Sequence, residues 1–308
     1  MSDRSEAAAG AEGFRCGRVA LLGPPNVGKS TLLNRIIGAR IAIVTPKPQT
    51  TRHRILGIYT DHACQIVFID TPGIHRARSR LNRAMVQTAM AAIEEADLLL
   101  LLHDVTRRTE GGMERWIEPL VARHPELPRL HLLNKIDRIP TLELLPRIEA
   151  LHRMDEAARG FIPVSARKGT QIDELLRTIT ALLPERPPLY DPEWFTDQSA
   201  RTLAAEYVRE QLFLALQQEV PFQTAVLVEA WREQGPRVEI EAVILVGSKS
   251  HKPMVVGKGG RRIKQIGSRA RAGIAHLLQR NVDLRLFVKV QPDWFEQPEM
   301  LRTLGIEQ

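Results

Sequence analysis

The chain has 308 residues, of which 44% are hydrophobic, and this length suits two globular domains better than one. No apolar segment follows a basic start at the N-terminus, and the longest hydrophobic run, residues 96–103, is too short to span a bilayer. We therefore expect neither a secretory signal nor a transmembrane helix. The net charge of +7 is unevenly placed, because residues 247–289 hold eleven Lys or Arg against one acid, and such a block suggests a nucleic-acid partner.

Up to about residue 183, short apolar runs alternate with helical stretches, as a parallel sheet covered by helices requires. The predicted strands are residues 18–23, 65–70, 98–105, 129–135 and 160–166, and a run at 54–60 predicts a hairpin that adds one antiparallel strand. The first domain is thus predicted to be α/β, with a mixed, mostly parallel six-stranded sheet. Open α/β sheets bind ligands beyond the carboxyl ends of their strands, so functional residues are expected there.

The second half of the chain follows a different order of elements. Four prolines within residues 184–197 predict a stiff linker, and a helix with an apolar stripe is predicted for 198–220. Two strands follow at 224–231 and 237–246, then a glycine-rich turn, two basic helical stretches at 261–266 and 268–280, and a strand at 284–290. This α-β-β-α-α-β order predicts an α+β domain. The predicted organisation is a disordered tail at 1–14, a first domain at 15–183, the linker, and a second domain at 198–308 that includes a C-terminal tail.

A phosphate-binding loop is predicted directly after the first strand. The stretch GPPNVGKS fits G-x-x-x-x-G-K-[S/T] and opens a helical stretch at 30–37; an ordinary glycine turn is the alternative. In such loops backbone N–H groups close on the β-phosphate, the lysine reaches β and γ oxygens, and the serine hydroxyl ligates magnesium. The residues of the predicted loop are Gly23, Pro24, Pro25, Asn26, Val27, Gly28, Lys29 and Ser30.

The next strand of the predicted sheet ends in the stretch DTPG, which consists of Asp70, Thr71, Pro72 and Gly73. An aspartate there suits the magnesium side of a nucleotide site, and the Gly73 N–H is placed to sense a γ-phosphate. The following residue is Ile74, where many GTPases carry a glutamine that orients the attacking water. The aliphatic side chain of Ile74 has no polar group and cannot orient the attacking water.

Two later strand ends carry residues that favour guanine over adenine. Asn134, Lys135 and Asp137 belong to the stretch NKID at residues 134–137. The carboxylate of Asp137 can accept hydrogen bonds from both guanine N1–H and the exocyclic amine of guanine. The following strand ends in Ser165, Ala166 and Arg167, where the Ala166 N–H could donate to guanine O6. Each stretch alone is weak evidence, but together with the phosphate loop they indicate GTP.

Residues 45–54, TPKPQTTRHR, are polar and lack an apolar period, which predicts a mobile switch loop that magnesium and a γ-phosphate would order. A plain surface loop is the alternative. Thr50 or Thr51 must supply the hydroxyl on the metal ion, and we favour Thr51.

A second glycine-rich stretch, GKGGRRIK, lies inside the basic block but lacks the spacing of a phosphate loop. A G-x-x-G loop beside basic residues clamps the backbone of unstacked nucleotides in KH domains; a loop with structural glycines is the alternative. The predicted RNA contacts are Gly257, Lys258, Gly259, Gly260, Arg261, Arg262 and Lys264. Phe287, between Arg285 and Lys289, either stacks on a base or packs under a helix.

Taken together, the stretches GPPNVGKSTLLN, QTTRHRI, DTPGIH, NKID, SAR, AAEYVREQL and GKGGRRIKQIG make the chain similar to the Era family. These are bacterial GTPases of the group that includes TrmE, EngA and septin-like proteins, and they carry a C-terminal type II KH domain. The resemblance implies a slow GTPase that uses GTP, GDP and Mg²⁺, binds the 3′ end of 16S rRNA and acts in 30S ribosomal subunit assembly. It also implies a cytoplasmic monomer with peripheral contact to the inner membrane.

By position, the resemblance assigns phosphate binding to residues 26–31, which adds Thr31, and the switch to Thr50 and Thr51. It assigns magnesium and the γ-phosphate to Asp70 and Gly73, and guanine to Asn134, Lys135 and Asp137. Pro24 departs from the arginine expected there, with little consequence because that position contributes only backbone.

The wider group carries a hydrophobic residue where the glutamine would be, and some members use a potassium ion held in part by the asparagine that matches Asn26. We therefore hypothesise potassium-stimulated hydrolysis in which the catalytic residues are Asn26, Lys29, Thr51, Asp70 and Gly73. One alternative is a non-catalytic RNA-binding scaffold regulated by GTP. Another, a GTPase of tRNA modification or iron transport, is disfavoured by the basic KH-like block.

Overall fold

The computed structural model describes residues 13–47, 50–73, 79–107, 119 and 122–306. It divides into two compact units. The first unit comprises residues 1–39, 54–75 and 87–197, and the second comprises 40–53, 76–86 and 198–308. Two segments that the sequence analysis assigned to the first domain therefore group with the second. Of the predicted N-terminal tail, residues 1–12 lie outside the described residues, and Phe14 is buried.

The first unit is built on a six-stranded sheet in the order β2-β3-β1-β4-β5-β6. The strands are β1 (Arg15–Leu22), β2 (Ile55–Thr60), β3 (Cys64–Asp70), β4 (Leu98–Asp104), β5 (Arg129–Asn134) and β6 (Gly160–Val164). Only β2 runs antiparallel to its neighbour, β3. The central strands are buried along almost their whole length, because helices cover both faces of a parallel sheet. The prediction of a mixed, mostly parallel six-stranded sheet is confirmed.

Four helices accompany this sheet among the described residues: α1 (Lys29–Ile37), α2 (Arg80–Glu94), α3 (Leu144–Met154) and α4 (Ile172–Leu182). Helix α1 begins at Lys29, within the last residues of the predicted phosphate loop, and is followed by Gly38, which adopts a left-handed conformation. The first turns of α2, up to Val86, belong to the second unit.

The proline-rich segment 184–197 is hydrogen-bonded along the first unit. The Pro184 carbonyl accepts from the Cys16 N–H at 3.1 Å, and the Phe195 carbonyl accepts from the Ile58 N–H at 3.0 Å. The buried Gln65 side chain accepts from the N–H groups of Leu189 and Tyr190 at 2.8 and 2.9 Å. The segment is therefore fixed along the first unit, with a turn at residues 191–194.

The second unit is an α+β domain with a three-stranded sheet in the order β7-β8-β9. Its elements are α5 (Ala200–Ala215), β7 (Thr224–Gln234), β8 (Arg237–Val246), α6 (His251–Val256), α7 (Arg261–Leu278), β9 (Asn281–Val290) and α8 (Pro298–Thr303). Strand β8 pairs antiparallel with β7 and parallel with β9. The α-β-β-α-α-β order confirms the predicted type II KH fold.

The positions of helices α6 and α7, on either side of the glycine loop, differ from the prediction. We expected both helical stretches after the glycine loop, with a break at Gly267, but α6 precedes the loop and α7 runs unbroken through Gly267. A Cβ at Gly267 would lie 3.4 Å from Leu286 Cδ1, an ordinary van der Waals distance, so this glycine packs beside β9 within the helix and does not end it. The buried residues Ile266, Ala270 and Ile274 continue one helical stripe across the expected break.

The two faces of the second sheet have different covers. Residues of α5 and α7, including Val208, Leu212 and Ile266, form a core with the β8 residues Ala242, Ile244 and Val246. On the other face, Val243 and Leu245 pack with Trp294 and Leu301 of the C-terminal segment. Phe287 on β9 is 51% exposed, so the alternative that it packs under a helix is wrong. No helix among the described residues is long and apolar enough to cross a membrane.

Candidate functional site

The turn between β1 and α1 has the backbone of a phosphate-binding loop. Asn26 and Gly28 both have positive φ, 63° and 111°, so successive peptide N–H groups turn toward one side of the loop. Helix α1 begins at Lys29, and the N–H groups of its first turn add to the positive potential at this end of the helix. The Lys29 ammonium donates to the carbonyl of Gly23 at 3.0 Å, and burial lowers its pKa while Asp70 opposes the shift. Phosphate oxygens could replace that carbonyl as its acceptors.

Ser30 and Asp70 meet at the carboxyl end of β3 and form the core of a candidate Mg²⁺ site. The Ser30 hydroxyl donates to Asp70 Oδ2 at 2.6 Å. Asp70 is fully buried, and burial raises its pKa to about 6 against the lowering effects of Lys29, Ser30 and the Thr71 N–H. Its Oδ1 is buried without a hydrogen-bond partner among the described residues. Hard oxygen ligands suit Mg²⁺, which would provide the partner that this oxygen lacks.

The remaining residues of the DTPG stretch lie against the phosphate loop and β1. The Thr71 hydroxyl donates to the Leu21 carbonyl at 2.8 Å, and Thr71, Pro72 and Gly73 are all buried. A Cβ at Gly73 would lie 2.9 Å from the Pro25 nitrogen, so only glycine allows this approach. Ile74 lies outside the described residues, and the prediction about its role stays a prediction.

Asn134, at the end of β5, connects three of the predicted loops. Its Nδ2 donates to the Val27 carbonyl at 2.8 Å, and its Oδ1 accepts from the N–H groups of Lys135 at 2.8 Å and Ala166 at 3.0 Å. A Cβ at Gly28 would stand 2.3 Å from Asn134 Nδ2, so the glycine makes room for this bond. The Ala166 N–H, which we expected to donate to guanine O6, is thus hydrogen-bonded to Asn134.

The carboxylate of Asp137, the predicted guanine contact, is held in place by Ser165, which directly follows β6. Asp137 Oδ1 accepts from the Ser165 hydroxyl at 2.7 Å, and this bond is the main reason that the pKa of Asp137 is lowered. The Lys168 N–H donates in turn to Ser165 Oγ at 3.1 Å. Asp137 is therefore a charged, oriented acceptor, as a reader of two guanine donors must be. Arg167 is exposed, and its carbonyl accepts from Arg35 at 2.5 Å.

Asp104 belongs to this site although the sequence analysis did not select it. Lys135 has φ 72°, and its ammonium donates to the Asn26 carbonyl at 2.7 Å and to Asp104 Oδ2 at 2.5 Å. Asp104 closes β4, so a search of every strand end for polar residues would have found it. It holds Lys135 across the phosphate loop, beside the predicted guanine contacts.

Residues 45–53 of the predicted switch segment, together with the residues just before it, belong to the second unit and are hydrogen-bonded there. Thr50 Oγ1 donates to the Lys47 carbonyl at 2.8 Å, and both Thr50 and Thr51 are buried. The Val44 N–H donates to Glu210 Oε1 at 3.1 Å, and Arg40 pairs with the same buried carboxylate. The sequence signal for these contacts was the set of charged residues inside the apolar stripe of α5, but it did not identify their partners.

Arg52 fixes the far end of the same segment. Its guanidinium donates to the carbonyls of Thr224 at 2.7 Å and Phe222 at 2.8 Å, and it lies over the rings of Phe213 and Trp294. Residues 48 and 49 of the segment lie outside the described residues.

The glycine loop of the second unit joins α6 to α7 and presents a cluster of cations. Gly257 has φ 74°, and a Cβ there would meet Arg262 Cβ at 2.7 Å, so the tight turn requires glycine. Of the predicted RNA contacts, Lys258, Gly259, Arg261, Arg262 and Lys264 are exposed, and Gly260 is half-buried. Arg262 donates to the Met254 carbonyl, which directs it back toward α6.

A groove of about 400 Å³ runs beside this loop, between α7 and β9. Its apolar surface comes from Ile263, Leu284 and Leu286, and its cations are Lys264 and Arg271. Apolar surface for bases beside cations for phosphates is the combination that single-stranded nucleic acid requires.

Comparison with known proteins agrees with this geometry. Residues 18–135 match the family described as "50S ribosome-binding GTPase", and residues 219–295 match the KH domain family. The GTPase Era of Nitratidesulfovibrio vulgaris is 44% identical over 95% of this chain and 97% of its own length, and that of Trichlorobacter lovleyi is 44% identical over 96% and 98%.

Two solved structures are similar over nearly the whole chain. A point variant of Aquifex aeolicus Era bound to GDP and AlF4⁻ has a TM-score of 0.92 and 38% identity, and the match covers 96% of this chain and all of that one. An Era complex with MgGDPNP and nucleotides 1506–1542 of 16S ribosomal RNA matches with the same TM-score, identity and coverage. Both domains and their order are thus shared, and the chain belongs to the Era family of GTPases with a C-terminal KH domain.

Proposed function

We propose that this GTPase binds the 3′ end of 16S rRNA through its KH domain and acts as a GTP-dependent switch in assembly of the 30S ribosomal subunit. The observation that carries the proposal is the groove between α7 and β9, where Lys264 and Arg271 flank an apolar surface next to the exposed Lys258 and Arg261. A relative of 38% identity that is complexed with a 16S rRNA fragment supports the same partner.

In the proposed reaction the residues of the first unit bind and orient GTP. Lys29 and the N–H groups of the phosphate loop bind the phosphates, Asp137 holds the guanine, and the Gly73 N–H senses the γ-phosphate. When bound to Ser30 and Asp70, Mg²⁺ would neutralise charge on the β and γ oxygens. The assignment of the switch hydroxyl to Thr51, rather than Thr50, stays a prediction.

We also propose that a potassium ion held in part by Asn26 assists hydrolysis, because Ile74 cannot orient water. Turnover should be faster in potassium than in sodium chloride at equal ionic strength, and Asn26→Ala should remove the difference. Ile74→Ala should reduce turnover far less than Lys29→Ala. Equal rates in the two salts, in both wild type and variant, would contradict the role of the ion.

Crosslinking to total RNA, with the protein loaded with GTP or with GDP, tests the RNA partner. Sequencing of the bound fragments should show enrichment at the 3′ end of 16S rRNA, and Lys258→Glu should reduce it. Arg232→Glu, at an exposed residue of β7 outside both the basic block and the groove lining, is the control. No enrichment at that end would refute the proposed partner.

The rate of GTP hydrolysis distinguishes the proposed switch from the alternative, a GTP-regulated scaffold. A switch that hydrolyses GTP on its target should be stimulated by the RNA fragment together with potassium, whereas a scaffold should keep its basal rate. The monomeric state and the peripheral contact with the inner membrane are proposals that rest on the resemblance alone. Light scattering and flotation with anionic vesicles would test them.

A further inference from the structure

A cavity of about 190 Å³ lies within the second unit, and neither the glycine loop nor the groove beside it contributes to its lining. Its wall combines Arg52 and His53 from the switch segment, residues of α5, the first half of β7 and the C-terminal segment around Leu304. Since a water molecule takes up about 30 Å³ of liquid, this space can hold a tetrahedral anion.

The charges in the lining are mainly positive. The lining contains three arginines, Arg52, Arg201 and Arg209, and a single carboxylate, Glu206, and the formal charge of these four side chains is +2. Arg52 and Arg209 are buried while Glu206 is the single carboxylate of the lining, and a buried charge that no carboxylate balances is costly unless another anion compensates it.

Two of the three arginines have unused donors. Arg209 donates from Nε and Nη2 to Glu206 at 2.7 and 2.5 Å, but its Nη1 is buried with no partner among the described residues. Arg201 is exposed and forms neither an ion pair nor a side-chain hydrogen bond within the described part of the chain. Arg52 differs, because backbone carbonyls already accept from it.

We propose that this cavity binds a phosphate monoester group, with Arg201 at its entrance and Arg209 on its inner wall. A dianionic phosphate balances a lining of +2, whereas a carboxylate balances half of it, and arginine forks match phosphate oxygens well. The group could belong to inorganic phosphate or a small phosphorylated metabolite, or it could be the terminal phosphate of an RNA.

Occupancy would affect the switch segment through the chain itself. Arg52 and His53 line the cavity and directly follow Thr51, so a bound anion would stabilise the C-terminal end of the segment that carries the switch threonines. This site does not depend on RNA binding by the KH groove, because none of the groove residues lines it.

The test is calorimetric titration of the full chain with inorganic phosphate. The protein is saturated with Mg²⁺ and a non-hydrolysable GTP analogue, so that the phosphate loop is filled, and chloride keeps the ionic strength constant. We expect saturable binding, weakened about tenfold by Arg201→Gln, since one hydrogen bond between charged groups is lost. Arg232→Gln is the control, because this exposed arginine pairs with Glu241 and does not line the cavity.

Glu206→Gln should change phosphate affinity in the direction opposite to Arg201→Gln. Removal of the one carboxylate in the lining should tighten phosphate binding several-fold, whereas a purely structural role of Glu206 predicts no gain. If the Glu206 variant does not fold, Arg201→Gln still tests the proposal, because a substitution at this exposed residue should not prevent folding. Absence of saturable phosphate binding, or equal affinity in wild type and Arg201→Gln, would overturn the proposal.

A second titration separates the two sources of the phosphate. Short single-stranded RNAs with and without a 5′-phosphate are compared in wild type and Arg201→Gln. If the arginine matters only for the phosphorylated RNA, the ligand is a terminal RNA phosphate. If Arg201→Gln weakens only inorganic phosphate, the ligand is a small anion; either result supports the site.

Discussion

The Asn134 side-chain amide donates to the Val27 carbonyl at 2.8 Å, and the position of Gly28 leaves no space for a Cβ beside that amide nitrogen. The residue that begins the guanine-binding stretch is therefore fitted directly against the phosphate loop. This hydrogen bond connects the guanine-binding stretch to the phosphate loop. A substitution in either one should therefore change nucleotide binding by the other.

Gly28→Ala should reduce GTP affinity by about ten- to hundredfold. The new Cβ would clash with Asn134 Nδ2, and alanine at φ 111° is strained by about 1–3 kcal/mol. In the Gly28→Ala background, Asn134→Ala should cost less affinity than it does in the wild type, because it also removes the clash. Titration with a fluorescent GTP analogue measures both, and a double variant weaker than the sum of the single changes would refute the clash.

Asp137→Asn should change the preferred base from guanine to xanthine. The carboxylate accepts from two guanine donors, whereas an amide offers one acceptor and one donor, which suits the additional carbonyl of xanthine. GTP affinity should fall about hundredfold and affinity for xanthosine triphosphate should rise. Asp173→Asn on α4 is the control, and an unchanged ratio of the two affinities would exclude Asp137 as the base reader.

Stability should decrease in acid because of a buried histidine pair in the first unit. His103 Nε2 lies 2.9 Å from His131 Nδ1, and His131 Nε2 donates to Asp155 at 2.9 Å. Burial, with a smaller effect of His131, lowers the pKa of His103 from 6.5 to about 3, and burial also lowers that of His131. Unfolded histidines take up protons below about pH 6.5 while the folded ones stay neutral, so acid favours the unfolded chain.

The free energy of unfolding should therefore fall as the pH drops from about 6.5 toward 3, by up to about 1.4 kcal/mol per pH unit for His103, and the lowered pKa of His131 acts in the same direction. His103→Gln removes one titrating group and should flatten the slope. Urea unfolding between pH 7 and pH 4 measures it. His152→Gln, at a histidine that is not part of the pair, is the control, and equal slopes in wild type and His103→Gln would show that the pair does not cause the pH dependence.

Arg52→Gln should destabilise the second unit by about 3 kcal/mol. It leaves the buried carbonyls of Thr224 and Phe222 without their charged donor and removes the guanidinium from the rings of Phe213 and Trp294. Arg54→Gln, which breaks a partly exposed pair with Glu95, should cost less than about 1 kcal/mol. Hydrogen exchange of the amides in residues 40–53 reports the local effect, and equal protection in the two variants would contradict it.

Phe287→Ala should leave stability nearly unchanged, because the side chain is half exposed on the edge strand. If the ring stacks on a base, RNA affinity should fall about tenfold. Val288→Ala, on the face that packs against the core, should show the reverse: a loss of about 1 kcal/mol of stability and unchanged RNA affinity. A loss of stability in the Phe287 variant as large as in the Val288 variant would show that the ring belongs to the core.

The sequence by itself determined the sheet, the order of the KH elements and the residues at most strand ends. Apolar runs and helical periods are local patterns, and the stretches after the strands follow from the chemistry of phosphate and guanine. Even Asp137 and Ser165, which lie 2.7 Å apart, had been selected separately, because each follows its own strand.

Only the tertiary structure decided which distant groups meet. Asp104 meets Lys135, Glu210 accepts from Val44 just before the switch segment, and Arg201 and Arg209 share a cavity with Arg52. The same holds for Gly267, which a local pattern predicts as a helix break but which packs against Leu286 inside a continuous helix. Pairings of this kind depend on side-chain geometry between elements far apart in the chain, and no local period or propensity encodes that geometry.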